Sequence, residues 1–111
     1  MRKEIKTYET ALISLDSAVR GHLNDLYASV YPEDASISSE IKAIIDYYKN
    51  IEGARARYGL GVVIDRLTYI KAWARIHDNE SIEIKIDFIK NQVININTLL
   101  HKIVEYCGET E

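Results

Sequence analysis

The sequence predicts an all-α fold, a single-domain bundle of four to five helices packed antiparallel, and three observations carry that expectation. Apolar residues recur at alternating spacings of three and four along several long stretches, the period of a helix with one buried face. One proline and five glycines in 111 residues leave little turn chemistry for an all-β chain. Short breaks rich in Pro, Gly, Asp, Asn and Ser separate the periodic stretches. A chain of this length reads as one helical domain over residues 1–111, able to bury a core without a metal or a disulfide.

The first element spans Lys3 to about Val30, with Ile5, Tyr8, Leu12, Leu15, Val19, His22 and Leu26 on one face. Gly21 sits inside it and weakens, kinks or interrupts the helix, at about 1 kcal/mol against Ala. Tyr31-Pro32-Glu33-Asp34 is a turn cluster, and one of Ser36, Ser38 and Ser39 is expected to cap the next helix. That second helix carries Ile37 or Ile41 through Ile44, Ile45, Tyr48 and Ile51, and is expected to reach about Tyr58. Gly53, Gly59 and Gly61 punctuate the next stretch of chain; Gly59-Leu60-Gly61 either ends one helix or weakens a longer one.

A third helical stripe comes next in Leu60, Val63, Ile64, Leu67, Ile70 and Ala74. Asp78-Asn79-Glu80-Ser81 is a break with capping chemistry. The longest stripe comes after it: Ile82, Ile86, Ile89, Val93, Ile96, Leu100, Ile103 and Cys107, spaced as in a bundle seam. Ile82 to Phe88 also alternates apolar and polar as a strand does, but the unbroken continuation to Cys107 favours helix. Gly108 to Glu111 reads as a C-cap and a frayed tail.

The functional lead is Ala54–His77. Between Arg55 and Arg75 it holds five cations (Arg55, Arg57, Arg66, Lys71, Arg75) against the single anion Asp65, in a chain whose net charge is −3. The same stretch carries the only Trp, Trp73, with Tyr58 and Tyr69. On the helix, Arg66 and Trp73 fall on one flank of the apolar stripe and Lys71 and Arg75 on the other. A basic face with aromatics on an acidic protein points to an anionic partner, often nucleic acid, with phosphates gripped by cations and a base stacked on Tyr69 or Trp73. The bland alternative is an amphipathic helix with solvated cations, its aromatics packed against a neighbour.

Catalytic constellations do not assemble in the sequence. His22, His77 and His101 are scattered, without a second ligand at helical metal spacing, so no metal and no cofactor is expected. His22 reads as a satisfied histidine at the core edge, and Cys107 as a buried thiol. A lone cysteine forms no intramolecular disulfide and fits a reducing, cytoplasmic setting. No stretch approaches the roughly 20 apolar residues of a membrane span. The chain is therefore expected to be no enzyme. One small-bundle exception, of the chorismate mutase kind, would need Arg55, Arg66, Lys71 and Gln92 to converge on an anionic substrate.

Three pieces of the chain resemble a known family. They are Ile37-Ser38-Ser39-Glu40-Ile41-Lys42 with Tyr47-Tyr48-Lys49-Asn50-Ile51; Ile64-Asp65-Arg66-Leu67-Thr68-Tyr69-Ile70-Lys71-Ala72; and Leu99-Leu100-His101-Lys102 with Tyr106 and Gly108. Together they look like the small helical subunit of type III-A CRISPR effectors, the Csm complex. The resemblance implies a non-catalytic subunit that self-associates by stacking along the guide RNA–target RNA duplex. It would hold the RNA backbone beside other effector-complex subunits. Lys42, Arg66, Lys71 and Lys102 match the family's basic positions; Arg55, Arg57 and Arg75 come from charge clustering alone. Tyr47 through Ile76 also resembles the helical domain of GINS replication-complex subunits, which would act through protein–protein contacts.

Overall fold

The period-3.6 stripes become four helices because each can bury its apolar face only against the others. The computed structural model describes residues 2–31, 34–51 and 56–109, with side chains for all of them except 2–5, 56–58 and 106–109. Along them run α1 (Arg2–Val30), α2 (Ala35–Lys49), α3 (Ala56–Ile76) and α4 (Glu80–Glu109), with no strand among the described residues. Each helix packs on the one before and the one after it, and α4 closes the ring on α1, so that α1 and α3, and α2 and α4, stand diagonally across the bundle. Neighbouring helices run antiparallel, in a bundle of 52 × 21 × 19 Å.

One core runs through all four helices. Its buried members include Val19, Leu23 and Leu26 of α1, Ile41 and Ile44 of α2, Val63, Leu67 and Ile70 of α3, and Ile86, Ile89 and Val93 of α4. Burying each such side chain contributes on the order of 1.5–3 kcal/mol. The α3 and α4 stripes fall where the spacing puts them. On α1 the buried position is Leu23, with the neighbouring His22 turned to the seam with α4. There His22 Nδ1 sits 3.1 Å from Gln92 Oε1, and the ring meets Phe88 edge-on. That is the satisfied core-edge histidine the sequence suggested. Strand-like alternation over Ile82–Phe88 resolves as helix: Ile82 and Ile86 face inward while Ile84 and Phe88 are exposed.

Several boundaries differ from expectation, each for a local reason. The cap of α2 is Asp34, whose carboxylate accepts the Ile37 N–H at 2.9 Å. The serines fall inside the first turns, where Ser38 donates to the Ala35 carbonyl. Helix α2 ends at Lys49 rather than near Tyr58, because Asn50 leaves helical geometry and its side-chain amide donates to the Asp46 carbonyl at 2.7 Å. Gly59 and Gly61 then lie inside α3. A Cβ on Gly59 would stand 2.9 Å from Ile51 Cγ1, so this glycine admits the Ile51 side chain against the α3 backbone. Gly21 lies in an unbroken α1 with open space around it. At the far end α4 continues through Gly108 to Glu109. Gly53 lies outside the described residues, as do the side chains of Ile5, Tyr58 and Cys107.

The corner between α3 and α4 matters most for the site. Asp78 adopts φ 53°, the left-handed conformation that ends helices, and Asn79 N–H reaches back to the Ala74 carbonyl at 2.8 Å while Asp78 N–H reaches Arg75. Asn79 then caps α4 by accepting the Ile82 N–H. This tight reversal lays the last turns of α3 directly beside the first turns of α4.

Candidate nucleic-acid interface

Helix α3 separates its cations onto two flanks, as its sequence implies. Toward α2, the Arg66 guanidinium lies over the Tyr47 ring, 5.4 Å from its centroid. Toward α4, Lys71 Nζ meets Asp87 Oδ1 at 2.7 Å and Arg75 Nε meets Glu83 Oε1 at 2.9 Å. Between the flanks Tyr69, Ala72 and Ile76 face solvent, one or two turns apart, and Tyr69 is 64% exposed. Trp73 is half-buried against the core and its ring packs on His77, centroids 4.7 Å apart. Of the two aromatics, Tyr69 is the one open for stacking.

The α4 flank is concave. An open groove of about 390 Å³ runs between α3 and α4, lined by Thr68, Lys71, Ala72, Arg75, Ile76 and Lys90. Three cations from two helices therefore share one depression with an apolar edge. Lys90 makes no ion pair with any described residue. Sequence clustering missed it because it belongs to a different helix. The available signal was its position on the α4 stripe: four residues after Ile86 and three before Val93, it must flank the buried seam on the same side as Asp87.

Neither Lys42 nor Lys102 joins this groove. Lys42 is exposed on α2, diagonally across the bundle from α4. The Lys102 ammonium lies over the Tyr8 ring at 5.7 Å, near the end of the bundle where α1 begins. Arg55 and the Arg57 side chain lie outside the described residues. A pocket built from Arg66, Lys71 and Gln92 is not formed: Arg66 turns to α2, Lys71 to α4, and Gln92 is engaged with His22 on the α1 side.

A second concavity, about 170 Å³, opens among Leu12, Tyr48, Ile51, Leu60 and Leu100, with Asp16 and Arg20 at its edge. Its polar groups satisfy one another. Tyr48 Oη donates to Asp16 at 2.8 Å, and Arg20 Nε donates to the same carboxylate at 3.0 Å while its guanidinium covers the Tyr48 ring. Burial, then the Asp16 hydrogen bond and charge, push the Tyr48 phenol well above its ordinary value. Among the described residues no cluster of His, Cys, Asp or Glu is arranged to hold a metal, and no helix is long and apolar enough to cross a membrane. No protein-family model, curated protein or solved structure matches the chain.

Proposed function

We propose that the chain is a non-catalytic subunit that grips the sugar–phosphate backbone of RNA in the α3–α4 groove, without reading sequence. The observation that carries this reading is the meeting of Lys71, Arg75 and Lys90 in one open depression beside the exposed Tyr69. Ammonium and guanidinium groups hold phosphate oxygens irrespective of the base, and an exposed tyrosine ring stacks on any base. The resemblance of residues 37–108 to the type III-A small subunit supplies the setting. In that setting the RNA is the guide–target duplex, the neighbours are other effector-complex subunits and further copies of the chain, and Arg66, Lys42 and Lys102 make peripheral backbone contacts.

Fluorescence anisotropy with labelled single- and double-stranded RNA, alone and with partner subunits, tests the reading. Three phosphate contacts give a slope of log affinity on log salt of about −2 to −3. Replacing Lys71, Arg75 and Lys90 together with Ala abolishes binding equally for every sequence. Absence of binding at all salt concentrations, with and without partners, overturns the proposal.

A second reading, a subunit of an assembly held by protein–protein contacts alone, is favoured by one observation: Tyr69, Ile76, Ile84 and Phe88 are all more than half exposed. It predicts no affinity for polyanions, and loss of assembly when Ile76 or Phe88 is replaced by Glu.

A further inference from the structure

We infer that Asp87 and Glu83 screen the groove in the free protein, and that an RNA backbone binds by replacing these two carboxylates on Lys71 and Arg75. The inference rests on the RNA-binding reading and specifies how that same site is regulated. Both carboxylates come from α4, the helix that also contributes Lys90, and each makes a close contact with one of the two α3 cations, at 2.7 and 2.9 Å. The groove thus contains its own phosphate mimics. Counting these five side chains, its net charge is +1 while the pairs hold, and Lys90 is the unpaired charge.

The pairs are poised for exchange. Arg75 is 73% exposed and Asp87 49%, so neither ion pair is sealed from water. Exposed pairs of this kind are weak and salt-screened, whereas phosphate oxygens offer charge-assisted hydrogen bonds to both Lys and Arg. Lys71 and Arg75 are one helical turn apart, a rise of about 6 Å. A single phosphate meeting Lys90 displaces neither carboxylate for long. A chain of phosphates meets Lys90, Lys71 and Arg75 in concert, because the first contact raises the effective concentration of the next. The chemical class admitted is therefore a polyphosphate backbone, such as an oligoribonucleotide, in preference to a mononucleotide or inorganic phosphate.

The experiment measures binding of a fluorescein-labelled 15-residue oligouridylate, with uridine monophosphate as competitor, by wild type, D87N/E83Q, E40Q/D46N and K90A. Glu40 and Asp46 lie exposed on α2, so the second pair changes net charge equally but away from the groove. Freeing both cations is expected to tighten oligouridylate binding by about tenfold, consistent with two weak surface pairs. It also lets uridine monophosphate compete at lower concentration. The α2 control shifts affinity by less than about threefold at physiological salt, where the Debye length is about 8 Å. K90A weakens binding relative to wild type, and circular dichroism checks that each variant is folded. If D87N/E83Q binds no more tightly than wild type while K90A still weakens binding, screening is wrong and the RNA reading stands. An equal gain in the α2 control reduces the effect to net charge and likewise overturns screening. Binding by none of the variants removes both.

Discussion

Helix α4 has two seams, and the ion pairs across them have opposite polarity. Toward α1 it offers a cation: Lys85 Nζ lies 3.1 Å from Asp25 and donates to Ser29 Oγ at 2.6 Å. Toward α3 it offers anions, Asp87 and Glu83, to Lys71 and Arg75. Swapping α1 and α3 around α4 would oppose like charges, so the pattern helps fix which neighbour lies on which side, in the way flanking charges do in coiled coils. The seams also differ in shape. The α1 seam is filled by the His22–Gln92 contact and the Phe88 ring, whereas the α3 seam is edged by small residues, Thr68 and Ala72, and stays open as a groove. One seam is built to close. The other leaves its charges where a ligand can reach them.

The largest effects come from the apolar wall beneath both seams and should not distinguish them. Leu23 on the α1 side and Leu67 on the α3 side are both fully buried. Truncating either to Ala is expected to cost about 2–5 kcal/mol, read from urea unfolding midpoints at constant m-value. A much smaller loss for Leu67→Ala would mean that the groove collapses to fill the cavity, making the α3 seam the softer of the two.

An intermediate effect separates the backbones of α1 and α3. Gly59 of α3 has the Ile51 side chain within 2.9 Å of where a Cβ would stand, while Gly21 of α1 has open space. Gly21→Ala is expected to stabilise by up to about 1 kcal/mol through helix propensity. Gly59→Ala should destabilise by about 1–3 kcal/mol, because overpacking against Ile51 outweighs the same propensity gain. Thermal melts followed by circular dichroism give both values. Stabilisation by Gly59→Ala would show that Ile51 moves aside freely and does not pin the start of α3.

These contrasts also mark what the sequence could and could not reveal. The four stripes were legible because burial of one helix face dictates spacing, and among the described residues nineteen, spread over four helices, form the core it implies. The end of α2 was not, because Ile41 to Ile51 keeps its period past the point where Asn50 caps the helix. Gly59 read as punctuation, since its actual role, admitting Ile51, depends on a contact between two helices. The cationic flanks of α3 followed from helix geometry. Their partners did not, because Asp87, Glu83 and Lys90 belong to another helix, which the Asp78–Asn79 reversal sets against α3.

The smallest expected effect is the one that separates the seams by function. Lys85 and Lys71 each pair with one carboxylate across a seam of α4, at 3.1 and 2.7 Å, and all four side chains are at least a quarter exposed. Such pairs contribute about 0–1 kcal/mol, so Lys85→Gln and Lys71→Gln should shift unfolding midpoints little and by similar amounts. Their effects on RNA diverge. Lys71 lines the groove and Lys85 does not. Lys71→Gln should therefore lower oligouridylate affinity and shorten the salt slope by about 0.7, one phosphate contact, while Lys85→Gln leaves both nearly unchanged. Equal losses of affinity from the two substitutions would indicate that RNA senses the charge of the bundle as a whole. The opposite polarity of the ion pairs across the two seams would then serve only to order the helices.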